Sequence, residues 1–269
     1  ASALLAAGRG EEAVREHLRA VDLAPRSGRP WAALGEAYQQ LGRRSESRDA
    51  FLRALGLDPD NPSIHFSLGQ LHMQEERWEE ALQEFRAAAR MRPDYRPARL
   101  SIVSALASAR RYREAMDEAE AILRFAPDDL DARAALAAAY EGLEKRDEAV
   151  RLYREILAAN PRAAIVWGNL GWTLYAMGRH GEAVEASRKA LEIDPSLAYV
   201  RFNLGLLLAV QEQWEAARTE YEAALKVAEP ADIRAGIGDV REALRRKPES
   251  PGLKKALEML EEAARRGRR

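Results

Sequence analysis

The sequence predicts an all-α fold, a solenoid assembled from repeated two-helix bricks. Three ladders of residues carry that expectation. Prolines recur at Pro25, Pro59, Pro93, Pro127, Pro161 and Pro195, each 34 residues after the last. Small residues keep the same step at Ala13, Ser47, Ala81, Ala115, Ala149, Ala183 and Ala217, and aliphatics keep it at Leu34, Leu68, Ile102, Leu136, Leu170 and Leu204. Ladders that share one period mark an internal repeat, and a period of this size belongs to stacked arrays.

Each period reads as a helical hairpin. In the first full copy, Trp31, Leu34, Gly35 and Tyr38 fall on one face of a first helix. Leu41-Gly42-Arg43 then stops it, with Gly42 placed for a left-handed turn. Ser47, Phe51 and Ala54 share a face of the second helix, which ends before Pro59. Asn61 is positioned to cap the next first helix, with Pro62 in its opening turn. Mid-helix Gly35, Gly69, Gly171 and Gly205 each cost about 1 kcal/mol relative to Ala, so a close helix approach is expected there. Phe51, Phe85, Tyr153 and Tyr221 would fill the layers. The third copy departs from this, with Val103 in the glycine slot and Ala119 in the aromatic slot. A volume swap or a local bend is expected to accommodate it.

The pattern Trp31, Leu34, Gly35, Tyr38, Ser47, Phe51, Ala54, Pro59 resembles the tetratricopeptide repeat, as does Trp167, Leu170, Gly171, Leu174, Ala183, Ser187, Ala190, Pro195. The resemblance covers about residues 1–230. It implies a right-handed α-solenoid of stacked helix–turn–helix hairpins whose first helices line a concave groove. The expected organisation is a truncated repeat over residues 1–27, mainly its second helix from Glu11 to Leu23 with a stub of the first at Ala3 to Ala7. Six consecutive repeats follow over 28–231, then a degenerate helix pair over 232–269 acting as a cap. Ile233, Ile237, Val240 and Leu244 form one apolar stripe of that pair, and Leu253, Ala256, Leu257 and Leu260 the other. Ser250 and Pro251 read as the cap and first turn of the last helix, and Pro230 as a repeat proline arriving one residue late. A start inside a repeat suggests a fragment of something longer.

Composition narrows the function. The 269 residues carry 42 basic and 43 acidic side chains, a net charge of −1 that suits no nucleic-acid binder. No apolar run approaches the roughly 20 residues needed to span a bilayer. The absence of cysteine removes disulfides and thiol chemistry, and leaves the compartment open between cytoplasm and periplasm. His17, His65, His72 and His180 stand where the repeat takes an aromatic or large side chain, so they read as packing residues rather than metal ligands. With no catalytic or phosphate-binding motif present, neither enzyme chemistry nor a cofactor is expected.

Function is therefore expected in the groove, which by resemblance holds a peptide or helix of a partner protein. Spacing from the Trp31 slot places Asn169, Trp172 and Tyr175 inward, then Tyr199, Phe202, Asn203, Leu206 and Ala209, and earlier Phe66, Gln70, Met73, Leu100, Ser101 and Ser104. Asn169 and Asn203 occupy one slot a period apart, and an amide's paired donor and acceptor suit a peptide backbone. This pair is similar to the asparagine ladder of O-linked N-acetylglucosamine transferases. The slots of the chaperone-binding carboxylate clamp hold Ala32, Glu36, Phe66, Gln70 and Leu100, so that clamp is absent. Two alternatives remain: the targeting or regulatory arm of a larger, glycosyltransferase-like enzyme, and self-association through an open N-terminal layer at Ala3 to Leu18.

Overall fold

The computed structural model describes residues 10–266, and in them fifteen α-helices and no strand. They divide into two compact units, one ending at Leu143 and the other beginning at Glu144. The first unit contains α1 (Gly10–Leu23), α2 (Gly28–Gln40), α3 (Arg44–Leu57), α4 (Pro62–Gln74), α5 (Trp78–Met91), α6 (Arg96–Ser108), α7 (Tyr112–Phe125) and α8 (Leu130–Gly142). The second contains α9 (Arg146–Ala159), α10 (Ala164–Ala176), α11 (His180–Ile193), α12 (Ala198–Val210), α13 (Trp214–Leu225), α14 (Pro230–Arg246) and α15 (Pro251–Arg266). Within each unit, consecutive helices pack as hairpins and each hairpin packs on the next. The stub expected at Ala3 to Ala7 lies outside the described residues, and with it part of the expected self-association layer.

Local chemistry sets the helix ends. Asn61 accepts from Ser63 N at 3.0 Å and caps α4 ahead of Pro62. Asp129 caps α8, accepting from the backbone N–H groups of Asp131 and Ala132 at 3.0 Å each, while Arg96 forks onto its carboxylate at 2.6 and 2.7 Å. Pro230 differs from the repeat prolines: it is the first residue of α14, and Glu229 and Asp232 form a capping box around it. It belongs to a helix start, not to a delayed turn. Shortly after a first helix the chain passes through one left-handed residue, Gly42, Glu76, Arg110, Glu144, Gly178 or Glu212, with φ between 58° and 75°.

Size reciprocity holds the hairpins together. A Cβ on Gly35 would lie 2.8 Å from the Phe51 ring, one on Gly69 2.5 Å from Phe85, and one on Gly205 2.8 Å from Tyr221. In the third hairpin Val103 and Ala119 are both buried, so bulk moves from the second helix to the first. Ser47 explains its place in an alanine ladder by donating its hydroxyl to the Gly35 carbonyl at 2.8 Å. A second recurring bond closes the turn before a first helix. His65, Arg133, Trp167 and Arg201 meet the carbonyl oxygens of Pro59, Pro127, Pro161 and Pro195 at 3.1, 2.9, 2.9 and 3.0 Å.

The final pair docks through Glu212. Its carboxylate accepts from the Ser250 hydroxyl at 2.5 Å and from Gly252 N at 3.0 Å, at the positive end of α15. Ile237, Val240, Leu253, Ala256 and Leu260 are buried in one cluster with Phe202, Leu206 and Tyr221.

Candidate functional site

In the second unit the first helices α10, α12 and α14 lie side by side, α12 between the other two. Asn169, Trp172 and Tyr175 of α10 are half-buried, and Trp172 and Tyr175 meet ring to ring with centroids 5.3 Å apart. Asn203 of α12 is half-buried as well. Among the described residues, no hydrogen bond engages the carboxamide of either asparagine. Two donor–acceptor groups at equivalent positions on neighbouring helices thus stay available on this face.

Three residues expected on that face are elsewhere. Phe202, Leu206 and Ala209 are 4%, 2% and 0% exposed. The last two helices cover them: Gly236 of α14 presents bare backbone, where a Cβ would lie 3.1 Å from the Phe202 ring, Gly252 of α15 sits against the Ala209 carbonyl, and Leu206 is buried in the same cluster. Phe202 and Leu206 are core residues that seat the terminal pair and cannot touch a docked polypeptide. Tyr199 is half-buried, with its hydroxyl buried, unpartnered and close to Gly168. Burial pushes the Tyr199 and Tyr175 phenols above their ordinary values, with Asp194 adding to the first.

In the first unit Phe66 is half-buried between Phe85 and Tyr95, at centroid distances of 5.6 and 5.3 Å, and Gln70 is exposed. Ser101 is half-buried and Ser104 exposed, its hydroxyl donating to the Leu100 carbonyl at 3.2 Å. His65 sits with Nδ1 2.6 Å from Glu84 and Nε2 against Pro59, a packing arrangement that ties two helices and a turn together. The Nδ1 of His72 is buried without a hydrogen-bond partner, 3.9 Å from the Glu75 carboxylate, and burial lowers its basicity.

Sequence spacing missed two features of the second unit. Asp239 of α14 is half-buried and has no hydrogen bond or ion pair among the described residues; burial raises its carboxyl above the ordinary value. Its position i+3 from buried Gly236 and i−4 from buried Ala243 was the available signal. The other is a cleft of about 750 Å³ among the ends of α13, α14 and α15, where Leu225, Ile233 and Met259 meet Lys226, Arg234 and Glu262.

Sequence profiles described as tetratricopeptide repeat match residues 32–96 and 134–198, and a further one matches 72–140. The chain belongs to the tetratricopeptide repeat family. Its solved relatives in fold include a tetratricopeptide repeat protein of Parabacteroides merdae, 16% identical with a TM-score of 0.78 over 96% of this chain and 95% of that one. The Cut9–Hcn1 hetero-tetramer of the APC/C matches at 16% identity and a TM-score of 0.69, over 96% of this chain and 47% of that one. YrrB, described as a tetratricopeptide repeat protein with an unusual peptide-binding site, matches at 18% and 0.52, over 66% of this chain and 92% of its own. At these identities the likeness is one of fold. No curated protein sequence matches the chain. No described helix of this repeat protein is long and apolar enough to cross a membrane.

Proposed function

We propose that the chain is a non-catalytic interaction scaffold that holds an extended segment of another protein along the first-helix face of its second unit. The observation that carries this reading is the pair Asn169 and Asn203, whose amides are half-buried, one repeat apart and unengaged within the chain. Each offers a donor and an acceptor, which is what a peptide unit presents in return. The stacked Trp172 and Tyr175 beside them supply the kind of aromatic anchor that dominates binding energy at interfaces. Family membership supports the same direction, since tetratricopeptide repeat proteins bind protein or peptide partners, and YrrB has a peptide-binding site. Phe66, Tyr95 and Gln70 provide a separate aromatic and amide surface on the first unit.

The test is selection from a random peptide display library on the whole chain, followed by affinity measurement. Selected peptides are expected to lose binding to Trp172→Ala and to the double variant Asn169→Ala/Asn203→Ala, with helicity and melting retained. Binding unchanged in both variants would remove the assignment.

A further inference from the structure

The cleft among the ends of α13, α14 and α15 shares no lining residue with the proposed peptide face. Its volume of about 750 Å³ falls in the range of roughly 300–1,000 Å³ that small-molecule sites occupy. The lining is mostly apolar. Leu225 comes from the last turn of α13, Ala228 from the connection, Ile233 from the opening of α14, and Met259 and Ala263 from the C-terminal half of α15. All five are half-buried, so part of each side chain stays open to the cleft. Apolar surface held open to water is a source of binding free energy for any ligand that covers it.

Charges of both signs line the cleft, but only one sign is left over. Glu262 is held by Arg266, and Glu222 lies 3.6 Å from Arg218. Lys226 and Arg234 line the same cleft, and neither has a hydrogen bond or ion pair among the described residues. Lys226 stands at the C-terminus of α13, where the carbonyl dipoles already favour a cation. Arg234 has no such support: it lies near the start of α14, where the dipole favours anions. The acids of that turn, Glu229 and Asp232, are engaged in the capping box. An anion in the cleft would answer both cations, and a cation would answer neither. The ends of three helices bound this one small volume, which suits a compact ligand rather than a length of polypeptide.

We propose that this cleft binds a small amphipathic acid, its apolar chain against Leu225, Ile233 and Met259 and its carboxylate at Arg234 and Lys226. A guanidinium offers a carboxylate two parallel donors, and the ammonium adds a point charge beside it. The site stands apart from Asn169 and Asn203, and its occupancy does not depend on a peptide bound there.

The probe is decanoate below its micellar concentration, titrated onto the whole chain labelled with ¹³C-methyl methionine. The chain has five methionines, of which Met259 lines the cleft, and Met259→Leu assigns its signal. A saturable shift of the Met259 methyl is expected, with the other four unmoved. Lys226→Gln/Arg234→Glu alters two exposed side chains, so the fold should survive, as a thermal melt checks, while decanoate binds about tenfold or more weakly. Decyltrimethylammonium, of equal chain length and opposite charge, should bind wild type about tenfold or more weakly than decanoate does. The inference is overturned if Met259 does not respond, or if all five methyls shift together as they would to a surfactant. It is equally overturned if the double variant or the cationic analogue binds within about twofold of wild type with decanoate. A displayed peptide that shifts Met259 where decanoate does not would assign the cleft to a protein partner instead.

Discussion

The pairing of a mid-helix glycine with a buried ring makes a quantitative prediction at Gly35 and Phe51. A Cβ at residue 35 would lie 2.8 Å from two atoms of the Phe51 ring and 3.0 Å from a third, inside the distance that real side chains tolerate. Phe51 is 0% exposed, so its ring has no open direction in which to retreat. Gly35→Val should therefore destabilise by about 1–3 kcal/mol through overpacking, after a small gain in helix propensity. Phe51→Ala should cost about 3–5 kcal/mol through the cavity it leaves. The third hairpin already shows the exchanged arrangement, with Val103 and Ala119 both buried. The double variant Gly35→Val/Phe51→Ala should thus fall short of the sum by at least about 2 kcal/mol, because each change relieves the other. Urea unfolding followed by Trp31 fluorescence reads the right place, since Trp31 packs on the Phe51 cluster. Hydrogen exchange of α2 and α3 amides gives a local free energy where a stacked array does not unfold in two states. Additivity within about 0.5 kcal/mol would refute the reciprocity.

Asp129→Ala removes a helix cap and the Arg96 fork together, for about 2 kcal/mol in urea unfolding, half of it from a pair whose arginine is 50% exposed; Asp129→Asn should cost roughly half as much. The Arg96 guanidinium holds the Asp129 carboxyl below its ordinary value, so this stabilisation is present above that value and is lost as pH falls toward the folded one. Asp239 has the opposite sign: its carboxyl is raised by burial, so the folded state binds its proton more tightly than the unfolded chain. Its destabilising effect is absent at acid pH and grows as pH rises through the raised value, so Asp239→Asn should match wild type near pH 3 and melt at or above it near pH 7. In the left-handed turn slot, Gly42→Ala should destabilise and Arg110→Gly stabilise, each by about 1 kcal/mol or less in urea unfolding, and equal effects of like sign would count against the assignment.

The period, the hairpins and the glycine–ring pairs were legible because each leaves its mark in residue identity. The features that stayed hidden involve groups that every residue shares. The slot read as aromatic from Trp31 holds His65, Arg133, Trp167 and Arg201, which look unrelated until the proline carbonyl they all meet is visible. A backbone oxygen writes nothing into a sequence. The turn slot behaves likewise: Gly42 and Gly178 announce a left-handed residue, whereas Glu76, Arg110, Glu144 and Glu212 take the same conformation without announcing it. Asp239 escaped because a lone acid on a charged helix reads as surface until its neighbours are known to be buried.

The misplacement of Phe202 and Leu206 has a cause that bears on the proposed site. A stacked array exposes an apolar face at its last full repeat, and covering that face needs another pair of helices. Here the cover is α14, admitted closely by Gly236, and α15, held at its N-terminus by Glu212 and seated so tightly that a Cβ on Gly252 would lie 2.6 Å from the Ala209 carbonyl. Lys247 adds a bond to the Val210 carbonyl at 3.3 Å, at the end of α12. These contacts turn the inner slots of α12 into core, while Asn203, one position along from Phe202, stays half-exposed. Core packing and the proposed binding face therefore divide a single helix between them. The available aromatic surface is concentrated on α10 at Trp172 and Tyr175.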